Sequence, residues 1–416
     1  MSELALLGGT PVRRASFPAW PVGGPEELQG LTEALEARIW SSAAGPKVVE
    51  LEQRFSAFQD AAHGIAVQTG TVALEIALAA LGIGAGDEVI VPPYTFIATA
   101  TAVLKINALP VFVDIDPATY CIDPAAVEAA ITPRTRAVIA VHLGGHPADM
   151  DRLLELKQRH GIAIIEDAAH AHGAAWHGRR VGALGDFGTW SFQTSKNMSS
   201  GEGGMITTDY PALADRARSL HNCGRATGGM WYDHFELGGN YRLTEFQSAL
   251  LLAQLARLPQ QIEQRESCSK QLDAELSGLD GIRPQARDAR ATMHAHHLYL
   301  FRYDRHAFAG VSRERFVEAL NAEGIPASIG YPKPLNCQPL FVNRAFDKRA
   351  TGYDPNYAPT QYERLDLPAS AAACRETVWL YQQMLLGTAE DMHDIITAIR
   401  KIQRNASALF VASRVF

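Results

Sequence analysis

The sequence predicts an α/β fold: a mostly parallel sheet covered on both faces by helices, followed by a smaller α+β unit. Two observations carry this. Between residues 64 and 165, five short apolar, β-rich runs alternate with longer stretches of helical spacing. Continuous apolar strands separated by helices are the pattern of a parallel sheet buried on both sides. Past a Gly/Pro-containing boundary at 278–284, strands and helices mix without that alternation.

The elements follow in order. Residues 1–25, rich in Gly and Pro, read as an arm. Residues 26–40 have helical spacing through Leu28, Leu31, Leu35 and Ile39, and 48–58 repeat it through Leu51, Phe55 and Phe58. The strand runs are 64–67, 88–91, 110–113, 137–141 and 162–165, with helices at 72–81, 97–107, 123–131 and 149–159 between them. Two helices are expected at 244–255 and 259–276. A strand at 297–303 and helices at 313–323 and 390–402 belong to the last third, and 340–362 reads as an irregular loop. The expected division is an arm (1–25), a large domain (26–278) and a small C-terminal α+β domain (279–416).

Composition narrows the function classes. The 416 residues are 47% apolar and 20% charged, and the formal charge is −7. A chain of this length buries enough surface to need no disulfide or metal staple. An acidic balance without a basic run argues against a nucleic-acid partner. The five cysteines lie far apart with no CxxC, as expected of reduced thiols. The N-terminus is too acidic for a signal peptide, and no uncharged run reaches membrane-spanning length. A cytoplasmic protein without a membrane or metal site is expected.

Candidate chemistry centres on Lys196. It follows a Ser-rich turn and precedes Gly201-Glu202-Gly203-Gly204. Lysine forms Schiff bases with aldehydes, and clustered glycines let backbone approach a ligand closely. An aldehyde cofactor at this lysine would be pyridoxal phosphate, which needs a phosphate cup and a carboxylate for its pyridinium. Gln68-Thr69-Gly70-Thr71 follows a strand and opens a helix, so the N–H groups of Gly70 and Thr71 can face an anion. A Thr-capped turn would look the same. Ser191 can donate to the same phosphate. Asp167 ends a very apolar strand, where open α/β sheets bind ligands, and His170 lies three residues on. Helix capping is the equal alternative for Asp167. Tyr94 and Phe96 close another strand, where an aromatic can stack on a planar ring. Asn240 and Arg242 precede a long helix and can reach an anion or substrate. Each signal is weak alone; the order phosphate turn, aromatic, Asp, Ser–Lys is specific.

Thr69-Gly70-Thr71, Pro93-Tyr94-Thr95-Phe96, Glu166-Asp167-Ala168-Ala169-His170, Ser191-Phe192-Gln193-Thr194-Ser195-Lys196, Gly201-Glu202-Gly203-Gly204 and Gly239-Asn240-Tyr241-Arg242-Leu243-Thr244-Glu245 resemble the DegT/DnrJ/EryC1/StrS family of pyridoxal-phosphate-dependent aminotransferases. The resemblance spans nearly the whole chain. It implies a fold type I enzyme with a mixed, mostly parallel, seven-stranded type of sheet. It gives Lys196 the Schiff base and the proton shuttle, Asp167 the pyridine nitrogen, Phe96 the ring face and His170 the ring hydroxyl. Gly70, Thr71 and Ser191 take the phosphate. Asn240 reaches the neighbouring subunit's cofactor, which implies a homodimer with shared sites. Gln193, with Tyr94, Arg242 and Tyr331, is assigned to substrate.

Ser191-Phe192-Gln193 resembles the branch that aminates scyllo-inosose and related keto-cyclitols with L-glutamine; aminohydroxybenzoate synthases share it. L-Glutamate as donor, a nucleotide keto-sugar as acceptor, and a non-catalytic cofactor-binding regulator are the alternatives. The stretch Tyr331-Pro332-Lys333-Pro334-Leu335-Asn336 departs from the cyclitol pattern and leaves the acceptor open.

Overall fold

The computed structural model describes residues 4–41, 45–226, 228–346 and 361–412. Helices α1 (Pro25–Ala37) and α2 (Pro46–Phe58) precede strand β1 (His63–Val67). The alternation follows: α3 (Gly70–Ala80), β2 (Glu88–Val91), α4 (Ala98–Lys105), β3 (Leu109–Phe112), α5 (Pro124–Ala130), β4 (Thr135–Val141), α6 (Met150–His160) and β5 (Ala163–Asp167). A short hairpin, β6 (Ala175–Trp176) and β7 (Arg179–Arg180), leads to β8 (Phe187–Ser191), β9 (Gly204–Thr208), α7 (Pro211–His221) and the long α8 (Glu245–Leu276). The second part runs β10 (Ile282–Pro284), β11 (Leu298–Tyr303), α9 (Arg313–Ala322), β12 (Ala327–Ser328), α10 (Pro339–Val342), α11 (Pro368–Glu376), β13 (Thr377–Tyr381), α12 (Ala389–Arg404) and α13 (Ala406–Ala412).

The main sheet has seven strands in the order β1-β9-β8-β5-β4-β2-β3. Pairs β2/β3, β2/β4, β4/β5 and β5/β8 are parallel, and β9 is antiparallel to both its neighbours. The sheet is thus mixed and mostly parallel, as expected. β2 is buried along its whole length and β4 all but Arg136, because helices cover both faces. The C-terminal ends of β1, β2, β5 and β8 share one edge of the sheet, where an α/β fold places its ligand.

The second sheet is antiparallel, β10-β11-β13-β12. Its core includes Phe301, Phe316, Leu320, Ile396 and Ile399, and draws Leu4 from the arm and Leu272 from α8. Leu335, Phe341, Tyr362 and Cys374 pack into the first core instead. We propose that the large and small units divide near residue 279, with this stretch returning to the large one. The loop expected at 340–362 lies outside the described residues from 347 to 360.

Two expectations are corrected. The helices expected at 244–255 and 259–276 are one helix of 32 residues with Pro259 inside it. Proline within a helix removes a donor and costs about 3 kcal/mol or more. Packing of α1, α2 and α12 along α8, with Leu255, Leu258 and Ile262 buried, outweighs that penalty. Along α1 the apolar spacing does not mark the core face. Leu28 is 67% and Leu35 56% exposed, while Glu27 and Ala34 are buried.

One buried carboxylate anchors the strand that carries Ser191. Strand alternation sends Glu166 and Asp167 to opposite faces. Glu166 Oε2 accepts from Gly182 N–H (2.7 Å) and His142 Nε2 (3.0 Å), and Oε1 from the N–H groups of Leu184 (2.8 Å) and Gly185 (2.7 Å). His142 Nδ1 accepts from Ala148 N–H, so its proton sits on Nε2. Burial alone would raise the Glu166 carboxyl; these donors hold it below its ordinary value. Replacing Glu166 by Ala strands four buried donors. It is expected to destabilise the fold by about 3 kcal/mol or more, read by chemical denaturation; a loss under about 1 kcal/mol would remove the anchor role.

Candidate active site

The anion cradle is built by close packing across three strands. Val67, Gly204 and Ser191 lie side by side in register on β1, β9 and β8. The turn after β1 presses onto that row. A Cβ on Gly70 would stand 2.8 Å from Ser191 Cβ, and one on Gly204 would stand 2.5 Å from the Thr69 carbonyl. Glycine is therefore required at both positions. Thr69 caps α3, its Oγ1 accepting from Val72 N–H at 3.1 Å. The first-turn N–H groups of Gly70 and Thr71 have no partner within the helix and stand beside Ser191. The capping reading and the anion reading hold together: Thr69 does the first, and Gly70 and Thr71 are free for the second.

Asp167 ends β5 and is 8% exposed. Thr99 Oγ1 donates to its Oδ2 at 2.9 Å, and Ala169 N–H to its Oδ1 at 3.3 Å. Thr99 gives its one proton to the carboxylate, so Thr95, 3.0 Å away, donates to Thr99. Burial raises the Asp167 carboxyl, and these bonds together with the Lys196 charge oppose it. The helix-capping alternative is corrected: the element after Asp167 is the β6–β7 hairpin, so there is no following helix for it to cap.

Lys196 sits in the loop between β8 and β9. Lys196 N–H donates to Gln193 O (2.9 Å), Thr194 N–H to Gly201 O (2.9 Å), and Phe192 N–H to Gly203 O (2.9 Å). Gly201 adopts φ +83°, the left-handed turn this loop needs. The side chain is partly buried. Burial pushes the Lys196 amine down to about 8, and the Asp167 carboxylate works against the fall. The amine has no hydrogen-bond or ion-pair partner among the described residues, a poised nucleophile rather than a surface charge.

The other expected residues divide. Phe96, 58% exposed after β2, offers its ring three residues from Thr99. His170 is buried, and its Nδ1 accepts from Gly144 N–H at 3.3 Å, which leaves the Nε2 proton for a ligand. Burial, then the Lys196 charge, holds His170 neutral, well below its ordinary value. Tyr331 packs edge-on to Trp379 (centroids 4.7 Å) and Tyr94 (5.5 Å). Burial and the nearby Asp167 charge raise its phenol. Gln193 is half committed: its Oε1 accepts from Ser195 N–H (2.9 Å) and Oγ (2.8 Å), so only its amide N–H groups remain for substrate.

Arg242 NH1 donates to Asn222 Oδ1 at 2.7 Å, which ties it to the end of α7. Asn240 is exposed, and its carbonyl accepts from Gln68 Nε2. Tyr94, expected to touch substrate, is corrected. It is fully buried, its hydroxyl shared with Thr377 Oγ1 (2.6 Å) and Trp379 Nε1 (3.2 Å), so it is the wall behind Tyr331.

Sequence reasoning missed Thr99, Trp379, Asn197 and His297. Thr99 was legible as the residue one helical turn past Thr95. The dense run His294-Ala295-His296-His297 was the available signal for His297.

A lysine whose amine burial depresses, a buried carboxylate at a strand end and a glycine-packed helix N-terminus gather at one edge of the sheet. The comparisons give the family. The profile of the DegT/DnrJ/EryC1/StrS aminotransferase family matches residues 21–400. The chain belongs to this family and is an aminotransferase. It is 43% identical over 98% of its length to 99% of a Streptoalloteichus tenebrarius protein provisionally named L-glutamine:3-amino-2,3-dideoxy-scyllo-inosose aminotransferase. It is 42% identical over 97% of its length to 98% of the L-glutamine:scyllo-inosose aminotransferase of Streptomyces griseus. The crystal structure of 3-amino-5-hydroxybenzoic acid synthase superposes with a TM-score of 0.85 at 37% identity, covering 94% of this chain and 99% of that one. Among the described residues, no helix is long and apolar enough to cross a membrane.

The charge coupling is testable in the apo protein. Amine-selective labelling of Lys196 is expected to rise through a midpoint near 8. Asp167→Asn removes the charge that favours the ammonium, so the midpoint should move to lower pH; a midpoint near the ordinary lysine value would contradict the burial described.

Proposed function

We propose that this aminotransferase uses pyridoxal phosphate to move the amino group of L-glutamine to a keto-cyclitol of the scyllo-inosose type, in aminocyclitol antibiotic assembly in the cytoplasm. The observation that carries the cofactor is Lys196, an amine depressed by burial and within the influence of the Asp167 charge, in the loop that follows Ser191 of the cradle. The group fits the residues present. Gly70 and Thr71 N–H and the Ser191 hydroxyl suit a phosphate, the exposed Phe96 ring suits a planar face, and the His170 Nε2 proton suits a ring oxygen. Bound there, the cofactor supplies an aldehyde for the amine and an electron-accepting ring. Asp167 keeps a proton on the ring nitrogen, because a carboxylate this buried favours a cationic partner. With the cofactor bound, the Lys196 amine would serve as the general base that takes a proton from the donor's α-carbon and as the acid that gives it back. The donor leaves as a keto acid, and the acceptor's carbonyl oxygen leaves as water when the amine arrives.

Glutamine and the inosose acceptor are proposed from the names of the relatives and from Gln193, whose amide N–H groups remain free for a polyhydroxylated ring. The structural likeness to 3-amino-5-hydroxybenzoic acid synthase favours one second reading, an aromatising amination on the same machinery. A homodimer is proposed from large apolar side chains left exposed. Leu28, Leu35, Trp40, Trp231, Phe235 and Leu237 are 51–100% exposed in the protomer, more than a soluble monomer leaves bare in one region. Trp231, Phe235 and Leu237 lie in the segment that ends at the exposed Asn240, so a second copy of this chain covering them brings Asn240 to its cofactor.

Purified protein should carry the visible absorption of bound cofactor, and L-glutamine should bleach it. A panel of scyllo-inosose, its deoxy and amino forms, nucleotide keto-sugars and the aminohydroxybenzoate precursor should then restore the band with an inosose first. Lys196→Ala should lower turnover by about 10³-fold or more. Restoration by a nucleotide sugar alone would contradict the acceptor. Mixing Lys196→Ala with Asn240→Ala protein should give activity above either alone, since one site per mixed dimer is complete. No gain on mixing would contradict shared sites.

A further inference from the structure

His297 is buried next to the catalytic lysine and has no part in the mechanism above. It ends the run that leads into β11. Its Nδ1 lies 3.3 Å from Asn197 Oδ1, and Asn197 Nδ2 donates to Ala295 O at 2.7 Å. The second bond fixes which way the Asn197 amide faces, so Oδ1 is the acceptor and His297 Nδ1 carries the proton. Asn197 follows Lys196 directly in sequence. On its other side, His297 lies against His170, ring centroids 4.2 Å apart at 38°.

His170 needs such a neighbour. Among the described residues its ring makes one hydrogen bond, the 3.3 Å contact from Gly144 N–H, and one long bond leaves an imidazole free to rotate about its last side-chain torsion. Its useful proton, on Nε2, must keep one direction to meet a planar ring. A flat partner at stacking distance removes that freedom. Burial keeps both imidazoles neutral; at His297 the neighbouring His170 and then the Lys196 charge also oppose protonation, and at His170 the Lys196 charge does. The other histidines of the same run are engaged elsewhere: His294 stacks on His296 at 3.9 Å, and His296 Nε2 lies 2.6 Å from Glu266 Oε2.

We propose that His297, anchored by Asn197, is a positioning residue that holds the His170 ring and thereby sets how the cofactor ring sits over Asp167. This rests on the pyridoxal phosphate reading. The Lys196 loop and the second sheet are thereby joined at the cofactor through one buried side chain, 100 residues from Asn197 in sequence.

The test titrates pyridoxal phosphate into full-length apo wild type, His297→Leu, His297→Phe and Asn197→Ala. It reads the dissociation constant, the visible absorption maximum and the circular dichroism induced in that band, which reports a fixed ring orientation. Thermal unfolding of each apo protein checks that it is folded. His297→Leu is expected to weaken binding about tenfold and to diminish the induced signal. Asn197→Ala and His297→Phe each keep a flat ring but lose the bond between the two residues, so both should fall between wild type and His297→Leu, and the His297→Leu/Asn197→Ala double variant should be no worse than His297→Leu, because the two residues act as one unit. Wild-type affinity and dichroism in His297→Leu would overturn the proposal, as would a His297→Phe variant as poor as His297→Leu. If His297→Leu does not fold, unchanged values in Asn197→Ala overturn it instead. Failure of wild type to bind the cofactor would refute the function proposed above, a result distinct from any difference among variants.

Discussion

The site depends on a carboxylate placed where water cannot reach it. Asp167 closes β5 at the edge where the parallel strands end, and burial makes its negative charge expensive. Thr99, aligned by Thr95, and the Ala169 N–H relieve part of that penalty. What they leave favours a positive charge nearby, and Lys196 answers it with an amine that burial has already brought down to about 8. Each group tunes the other through a region of low dielectric, and both are held by elements that cannot move independently. The strand holding Asp167 also holds Glu166, which accepts from His142 after β4 and from three N–H groups of the loop that leads into β8 and so to Ser191.

Close backbone contact does the rest of the positioning. Gly70 and Gly204 let the turn after β1 lie directly on β8 and β9, which brings the α3 N-terminus beside Ser191. The N-terminal arm adds a further tie. Trp20 Nε1 donates to Thr194 O in the lysine loop at 2.9 Å, while Arg13 bonds Asp391 (2.5 Å) and Asp394 (2.9 Å) on α12. The arm thus strings together the loop that carries Lys196 and the helix behind the second sheet.

What the sequence revealed followed from local rules. Apolar runs bounded by turns located β1 to β5, since a strand buried on both faces has to be apolar throughout. Lys196, Asp167 and the Gly70 turn were legible because each chemistry restricts the residue type at one position. The antiparallel insertion of β9 between β1 and β8 was not, because strand order is set by pairings across more than 100 residues. Pro259 misled because packing along both sides of α8 exceeds a local propensity. Leu28 and Leu35 kept a helical stripe that faces outward, which periodicity cannot distinguish from a core face. Tyr94 and Phe96 show the same limit at short range: two residues apart after one strand, one is sealed and the other open. His297 escaped notice because its two partners, Asn197 and His170, meet it only in the folded chain.

The central claim is that Lys196 alone is poised to join the cofactor aldehyde. Borohydride reduction of the cofactor-treated protein, followed by peptide mass mapping, tests it most directly. The account predicts one reduced pyridoxyl group per chain, on the peptide containing Lys196, and none in Lys196→Ala protein. A label on another lysine, or spread over several, would contradict it.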